Sequence, residues 1–318
     1  MLLALLAVAA GVGCLWKAAD EFVLGATRLA LIFKISPVVV GAIIVGFGTS
    51  APELLVSGIA AAGGDIDVGV GNIIGSNIAN LSLILGAAAL VLPIGITAGV
   101  LRREAPLSLA SVVLFAIVLR LGMNWPLGVA LFVVLAGFLH RIIKGDGNDV
   151  AELTHEVEEL AGHGDLQARV ETLRTLAGLI ITIVGAWVLV WGALRLADEL
   201  GVSGGFVGVT IVAIGTSLPE LVTALAAARA RQTELIVGNL LGSNLFNSLA
   251  VGGTVAILGS GPIVDPSLDT LDTGFMLVVA LGAYVAMRTR GRFERVEGIV
   301  LLMVFFSFLV LSYVSEAA

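Results

Sequence analysis

The chain is poor in charge, cysteine and histidine. Only 13% of its 318 residues are charged, against about a quarter in an average soluble domain. The net charge of −7 argues against nucleic acid as a partner. The single cysteine, Cys14, excludes a disulfide within the chain, and with so few His residues no zinc or copper ligand cluster is apparent. Any bound cation must therefore be held mainly by oxygen atoms.

Long apolar runs make up most of the chain, which is 58% hydrophobic with a mean hydropathy of +1.08. Runs of about 20 apolar residues are long enough to cross a bilayer as helices, so the sequence predicts a multi-pass membrane protein. No basic region precedes the first run, which we interpret as a retained helix rather than a cleaved signal peptide. The ten predicted spans are 2–26, 38–61, 68–92, 105–121, 124–143, 174–196, 205–229, 234–258, 270–288 and 296–314.

Lys and Arg residues are divided unequally between the two sets of loops. One set carries most of them, whereas the other carries only Arg120 and Arg195 together with several acids, which are Asp65, Asp67, Asp265, Asp269 and Asp272. Because basic loops stay in the cytoplasm, both termini are predicted to lie outside.

One polar stretch occurs twice. Gly48-Thr49-Ser50-Ala51-Pro52-Glu53 and a later run from Gly71 to Asn80 return 167 positions further on, as Gly215 to Glu220 and Gly238 to Asn247. The alignment runs without a gap over about 62 positions, of which about 26 are identical. The identities include Thr, Ser, Pro, Glu and Asn, residues that an apolar helix has no compositional reason to repeat.

The repeat and the charge bias together predict the architecture. Each half holds five spans, an odd number, so the two copies enter the membrane from opposite sides. We therefore predict an all-α protein of two inverted five-helix repeats, 1–143 and 174–318, joined by a cytoplasmic linker, 144–173. The repeated cores are about 38–92 and 205–258. Many secondary transporters are built this way, with the substrate site near the midplane where the repeats meet.

Glu53 and Glu220 are the acids predicted to lie deep in the apolar spans, at matching positions of the two copies. A buried carboxylate is costly unless it is paired or binds a cation, and no deep Lys or Arg is placed to pair with either. Pro52 and Pro219 leave the carbonyls four residues earlier without a donor. Hydroxyl groups one turn before each glutamate share its face, and these belong to Thr49, Ser50, Thr216 and Ser217. The alternative is a protonated glutamate hydrogen-bonded within the bundle.

The second half of each repeated stretch adds neutral oxygens. They come from Ser76, Asn77 and Asn80 in one copy and from Ser243, Asn244 and Asn247 in the other. Asn72 and Asn239 fit either a ligand role or a helix–helix hydrogen bond. The Gly71/Gly75 and Gly238/Gly242 spacings are typical of close helix contact.

An all-oxygen set with a charge near −2 suits a hard cation. Ca²⁺ takes 6–8 oxygen ligands in a flexible shell, and Na⁺ is of similar size. Two carboxylates neutralise one Ca²⁺ or two Na⁺. A site that serves either ion in turn is what an exchanger requires.

These motifs resemble the repeats of the cation/Ca²⁺ antiporter superfamily, and the chain is most similar to the prokaryotic sodium/calcium exchangers. The resemblance covers nearly all ten predicted helices. It implies that Glu53, Glu220, Asn80 and Asn247 form a central set of ligands, flanked by Na⁺ sites built with Thr49, Ser50, Ser76, Thr216, Ser217 and Ser243. It also implies alternating access, in which the first and sixth helices slide against the other eight.

Two details bear on the coupling ion. Asn247 stands where some relatives carry Asp, which argues against K⁺ co-transport. Gly75 and Gly242 stand where the proton-coupled branch tends to carry an acid, which favours Na⁺ over H⁺. The prediction is thus a Na⁺/Ca²⁺ antiporter of the cell membrane, without a cofactor, that expels Ca²⁺ using the Na⁺ gradient.

Three alternatives remain at this level. A H⁺/Ca²⁺ antiporter would use the same glutamates. An intramembrane hydrolase would need a nucleophile with its base or a metal-bound water, and the sequence holds no such motif. A channel would not need matched acids in inverted repeats. Lys17, Asp20 and Glu21 of the first helix are predicted to pair on one face near the interface, with a proton relay as the other interpretation.

Overall fold

The structure is a computed structural model that describes residues 1–33, 50–143, 167–231, 233–259 and 262–316. Eleven helices account for most of these residues. In chain order they are α1 (Leu2–Ile32), α2 (Ala51–Ala62), α3 (Ile66–Val91), α4 (Ala98–Leu121), α5 (Trp125–Ile143), α6 (Ala168–Leu200), α7 (Gly204–Thr216), α8 (Leu218–Ala230), α9 (Thr233–Phe246, continued by Asn247–Val251 and Gly252–Leu258), α10 (Leu268–Arg290) and α11 (Arg295–Glu316). The strands β1 (Ile94–Gly95) and β2 (Arg292–Phe293) form one antiparallel pair.

The helices confirm a multi-pass membrane protein. By length and composition, seven of the described helices could cross a membrane, or eight if the bent pair α7 and α8 is one span. The shorter apolar helices α2 and α5 overlap two further predicted spans. The start of the predicted span 38–61 lies outside the described residues, as does most of the linker 144–173. Ten spans therefore remain a prediction.

The helices α1 and α6 are longer than predicted, with 31 and 33 residues. They pack along each other closely enough that a Cβ on Gly11 would lie 2.7 Å from the Leu189 nitrogen, and one on Gly178 would lie 2.6 Å from the Phe22 nitrogen. Only glycine permits this approach. The two helices thus form one tightly packed pair.

Ion pairs join α1 and α6 near one end. Glu171 is buried and binds Arg28 at 3.2 Å and Arg174 at 2.9 Å, and Arg174 also binds Glu21 at 3.0 Å. Glu21 thus has a partner on α6, a contact between helices that the spacing within α1 did not predict. Periodicity within α1 could not reveal a partner from a helix about 150 positions away.

The described loops gather at two ends of the bundle, as the charge pattern predicts. At one end Asp67 accepts hydrogen bonds from the backbone of Val264 and Asp265, and Arg120 binds Asp269 at 3.2 Å. At the other end β1 pairs with β2, beside the arginine-rich segment after α10. The acidic loops thus contact one another at one end of the bundle.

The helices α3 and α9 form the centre of the bundle. In the most apolar stretch of each helix, 83% of the residues are buried inside the protein, a larger share than in any other described span. They also carry the repeated Asn and Ser residues. Polar side chains are thus concentrated in the two helices that contact lipid least, as expected of helices that line a site.

Candidate cation-binding site

Glu53 and Glu220 occupy equivalent places in the two repeats. Each lies in the first turn of a helix, α2 or α8, and each is only 1% exposed. The residues before these helices, Ser50 and Ser217, share a non-helical backbone with φ, ψ of −93°, 10° and −85°, 6°. A helix N-terminus is electropositive and favours a nearby carboxylate.

The helix break before Glu220 follows from Pro219. This residue sits in the first turn of α8 and has no N–H to donate to the carbonyl of Gly215, which lies four residues earlier. The axes of α7 and α8 differ by 41° at the break. The predicted interruption of the second repeat is thereby confirmed. In the first repeat Pro52 likewise lies in the first turn of α2, whereas Gly48 and Thr49 lie outside the described residues.

Hydrogen bonds between the repeats assemble the site. The Ser217 hydroxyl donates to Glu53 Oε1 at 3.3 Å, and the Thr216 hydroxyl donates to Asn72 Oδ1 at 3.0 Å. The Asn80 amide donates to Asn244 Oδ1 at 2.9 Å. Each pair joins residues more than 140 positions apart in the chain. Residues predicted from two separate motifs are thus brought to one place.

Asn80 and Asn247 each begin a short π-helical segment, Asn80–Ile84 and Asn247–Val251. Such wide turns interrupt the regular ladder of an α-helix and are frequent at functional sites. Both asparagines are 1% exposed. The repeated sequence thus adopts the same unusual backbone in both copies, directly at predicted ligands.

The site contains many buried oxygen atoms without a hydrogen-bond partner in the described part of the chain. They are Ser50 Oγ, Glu53 Oε2, Asn77 Oδ1, Asn80 Oδ1, Glu220 Oε1, Glu220 Oε2 and Asn247 Oδ1. A buried polar atom left unpaired costs about 1–3 kcal/mol, and more if it is charged. A cluster of such atoms, all of them acceptors or able to accept, is what a cation-binding site requires.

The oxygen atoms of this cluster are the kind of ligand that suits a hard cation. No group of three or more His, Cys, Asp or Glu side chains in the described ranges is arranged to hold a metal ion. A cation at this place must therefore be held by two carboxylates together with amide and hydroxyl oxygens, a set that suits Ca²⁺ and Na⁺.

Other predicted flanking residues lie in the same buried core. Ser76 and Ser243 are fully or almost fully buried, and the Ser76 hydroxyl lies 3.5 Å from Asn72 Oδ1. Asn72 also donates to the Ser57 hydroxyl at 2.9 Å. For Asn72 the structure therefore favours a hydrogen bond between helices over a ligand role, because its amide nitrogen and its amide oxygen both have partners.

Two residues missed in the sequence belong to this core. Ser57 lies one turn after Glu53 on α2, and Ser248 accepts a hydrogen bond from the Asn77 amide at 3.1 Å. Helical spacing from Glu53 could have indicated Ser57. Nothing in the sequence distinguishes Ser248, since its counterpart in the first copy is Leu81.

The close helix contact predicted for the first pair of glycines is confirmed. A Cβ on Gly75 would lie 2.4 Å from the Val209 carbonyl oxygen, and one on Gly71 would lie 2.6 Å from the Gly205 carbonyl oxygen. The helix α7 of the second repeat therefore packs directly on α3 of the first. The residues equivalent to Val209 and Ala213 in the first repeat fall within 34–49, so the matching contact at Gly242 lies outside the described residues.

The fold, with a cluster of buried oxygen atoms contributed by both repeats, is that of a membrane transporter. Comparison with known proteins agrees. The family model of the sodium/calcium exchanger protein matches residues 3–144 and 171–314. The chain belongs to this family, whose members exchange cations including Ca²⁺ across membranes. The prediction of a transporter rather than an intramembrane enzyme is confirmed by this membership.

Similar proteins cover nearly the whole chain. The putative antiporter CaxA of Alkalimonas amylolytica is 35% identical over 99% of this chain and 100% of its own length. The inner membrane protein YrbG of Escherichia coli is 38% identical over 88% of this chain and 87% of its own length. Solved structures of the sodium-calcium exchanger NCX_Mj superpose with a TM-score of 0.65 at 28% identity, covering 97% of this chain and 98% of theirs.

Proposed function

We propose that this protein exchanges Na⁺ for Ca²⁺ across the cell membrane by alternating access. The central ligands are Glu53, Glu220, Asn80 and Asn247. The flanking Na⁺ sites use Thr49, Ser50, Ser76, Thr216, Ser217 and Ser243. The observation that carries this proposal is the cluster of buried, unpartnered oxygens contributed by both repeats.

Charge explains how one site serves two ions. Two ionised glutamates in a buried site repel each other and are poorly solvated. One Ca²⁺ or two Na⁺ neutralise both, whereas an empty, fully ionised site is costly to move through the membrane core. The two ions therefore compete for the same carboxylates, and the exchange of one for the other follows.

The proposed architecture has ten spans in two inverted halves, 1–143 and 174–318, with both termini outside. The linker 144–173 then lies in the cytoplasm. The gathering of the acidic loops at one end and of arginine-rich segments at the other supports this orientation. The tight packing of α1 on α6 supports a mechanism in which these two helices slide as a pair against the rest.

Sodium is the proposed driving ion, and its inward gradient expels Ca²⁺. The absence of an acid at Gly75 and Gly242 supports Na⁺ over H⁺. A relative from Methanosarcina acetivorans, the sodium/calcium exchanger MaX1, is 29% identical over 95% of this chain. The rival proposal is H⁺/Ca²⁺ exchange on the same glutamates.

The test is uptake of radiolabelled Ca²⁺ into proteoliposomes that contain the purified protein. Uptake is driven in turn by an outward Na⁺ gradient, an outward H⁺ gradient and no gradient, with protein-free liposomes as the blank. We expect uptake with the Na⁺ gradient only. Uptake with H⁺ alone would establish the rival. Equal uptake without either gradient would indicate a channel, and no uptake under any condition would contradict Ca²⁺ as the substrate.

A further inference from the structure

Asn244 is a residue of the repeated stretch that the proposed ion sites do not use. It lies on α9, one turn before Asn247, and it is fully buried. Its counterpart in the first repeat is Asn77 on α3. In the sequence the two residues are equivalent sources of neutral oxygen, but in the structure their side chains make different contacts.

The hydrogen bonds of Asn244 fix which end of its amide faces which neighbour. Its Nδ2 donates to the backbone carbonyl of Asn77 at 3.2 Å. Because a backbone carbonyl can only accept a hydrogen bond, the amide nitrogen must lie on this side and Oδ1 on the other. The orientation of the Asn244 amide therefore does not depend on how any other side chain is turned.

Asn244 in turn fixes the amide of Asn80. The Asn80 amide lies 2.9 Å from Asn244 Oδ1, which can only accept a hydrogen bond. Asn80 must therefore present its nitrogen to Asn244, and its Oδ1 lies at the other end of the amide. This Oδ1 is buried and has no hydrogen-bond partner in the described ranges. The oxygen that Asn80 can offer to a cation is thus set by Asn244.

A reversed Asn80 amide would not serve as a ligand. After a half turn about the last side-chain bond, the Asn80 oxygen would oppose Asn244 Oδ1, and the NH₂ group would occupy the place of the ligand oxygen. An NH₂ group carries donor hydrogens only, whereas Ca²⁺ is bound by oxygen atoms, amide carbonyls among them. One hydrogen bond therefore decides between a ligand and a group that repels the ion.

The second repeat does not make the equivalent contacts among the residues that the structure describes. By symmetry Asn77 would fix Asn247, yet neither amide atom of Asn247 has a hydrogen-bond partner there. The Asn77 amide instead donates to the Ser248 hydroxyl at 3.1 Å, with Met276 Sδ at 3.5 Å from the same nitrogen. Ser248 replaces Leu81 of the first repeat, and leucine has no hydrogen-bonding group. This one difference between the repeats gives the Asn77 amide another partner.

We propose that Asn244 is a positioning residue, which holds the amide of Asn80 with its oxygen towards the transported cation. This inference rests on the proposed function, in which Asn80 is a central ligand. Asn244 acts through Asn80 and not on the cation, because its oxygen accepts from Asn80 and its nitrogen donates to the Asn77 carbonyl. The amide of Asn247 has no such support in the described part of the chain, so it turns to suit the ion that is bound.

Calcium binding to the purified full-length protein, measured by calorimetry, tests this role. We expect Asn244→Ala to weaken Ca²⁺ binding by about two- to tenfold, the range of one hydrogen bond. Asn80→Ala should weaken it at least as much. The double variant should bind no more weakly than Asn80→Ala alone, since a residue that acts only through Asn80 has no further effect once Asn80 is gone. Additive losses would overturn the proposal.

Aspartate at position 80 gives a readout that a merely structural role of Asn244 would not move. The two oxygens of a carboxylate are equivalent, so Asn80→Asp offers an oxygen to the cation in either orientation. It needs no support from Asn244, whose Oδ1 it would oppose. We therefore expect Asn244→Ala to weaken Ca²⁺ binding in the unmodified protein, but to leave it unchanged or tighter in the Asn80→Asp background. Equal weakening in both backgrounds would indicate a general loss of packing and refute the proposal.

The matched control is Ser82→Ala. Ser82 is a buried residue of the same helix as Asn80, and its hydroxyl donates to the Ile78 carbonyl of that helix at 2.5 Å. This variant should bind Ca²⁺ as the unmodified protein does. Should Asn244→Ala fail to fold, Asn244→Leu takes its place, because leucine fills a similar volume and makes neither hydrogen bond.

The same measurements separate this proposal from the proposed function. Weak binding in Asn80→Ala with normal binding in Asn244→Ala would refute the positioning role and leave the ligand set intact. Normal binding in Asn80→Ala would refute Asn80 as a ligand, and the role of Asn244 with it. If the unmodified protein bound neither Ca²⁺ nor Na⁺, the proposed function itself would be refuted and the positioning role would fall with it.

Discussion

The Ser217 hydroxyl of the second repeat donates a hydrogen bond to Glu53 of the first, with 3.3 Å between Oγ and Oε1. The equivalent bond between Ser50 and Glu220 is not made. Ser50 Oγ and both Glu220 oxygens are buried and have no hydrogen-bond partner within the described ranges. The two glutamates, though repeated in sequence, therefore have different surroundings in this conformation. A carrier built from inverted repeats must break their symmetry in this way to open towards one side only.

Neutralising either glutamate should abolish exchange. In Glu53→Gln or Glu220→Gln the amide keeps the shape of the side chain but removes one of the two charges that attract Ca²⁺. We expect Na⁺-driven Ca²⁺ uptake to fall to the level of protein-free liposomes, with an unchanged gel-filtration profile. The matched control is Glu294→Gln, the same change at an exposed residue paired with Arg292, which should transport normally. Normal rates in either core variant would contradict the site.

Substitution by aspartate should have different effects at Asn80 and at Asn247. Neither amide atom of Asn247 has a partner among the described residues, so Asn247→Asp loses no hydrogen bond and adds a charge near the ion. We expect tighter Ca²⁺ binding or an altered ion ratio, measured by calorimetry and by flux. An unchanged affinity and ratio would show that Asn247 is not a ligand.

Asn80→Asp is the matched comparison for Asn247→Asp. The Asn80 amide donates to Asn244 Oδ1 at 2.9 Å, and an aspartate there would place two oxygens in contact. We expect a loss of about 1–3 kcal/mol of stability, seen as a lower Tm in the absence of Ca²⁺. Equal Tm values for the two variants would indicate that this hydrogen bond contributes little.

Adding a methyl group to Gly75 should separate the repeats. The new Cβ would lie 2.4 Å from the Val209 carbonyl oxygen and 2.5 Å from the Ala213 Cβ. Backbone cannot yield as a flexible side chain does, so we expect Gly75→Ala to cost about 1–3 kcal/mol or more and to impair transport. The control is Gly282→Ala, where nothing described lies within 4 Å of the added Cβ. A Gly75→Ala variant as stable and active as that control would argue against close packing of α7 on α3.

Glu171 should be the critical member of the ion pairs between α1 and α6. It is buried and binds two arginines, whereas Glu21 is about half exposed and binds one. We expect Glu171→Gln to remove the carboxylate that Arg28 and Arg174 share and to cost about 1–3 kcal/mol. Glu21→Gln should cost less than about 1 kcal/mol, as exposed pairs do. Thermal unfolding of both variants in detergent checks the order, and a larger loss for Glu21→Gln would refute it.

The sequence by itself determined the class of protein and the repeat, and it located the residues that we propose as ligands. Apolar runs show that a helix is in a membrane, and polar residues repeated inside such runs show where the site lies, because hydrocarbon excludes them unless they have a role. Pro52 and Pro219 likewise predict helix breaks from local chemistry alone. Each of these signals can be recognised within one short stretch of the chain.

Only the tertiary structure decided which side chains meet. Periodicity tells which residues share a face of one helix, but not which distant helix that face contacts. Glu21 therefore could not be matched to Arg174, nor Ser217 to Glu53. The contacts of the Ser203 hydroxyl with Asp265 and Glu316 were invisible for the same reason, because the three residues lie in three different segments and only their packing brings the oxygens within 3 Å.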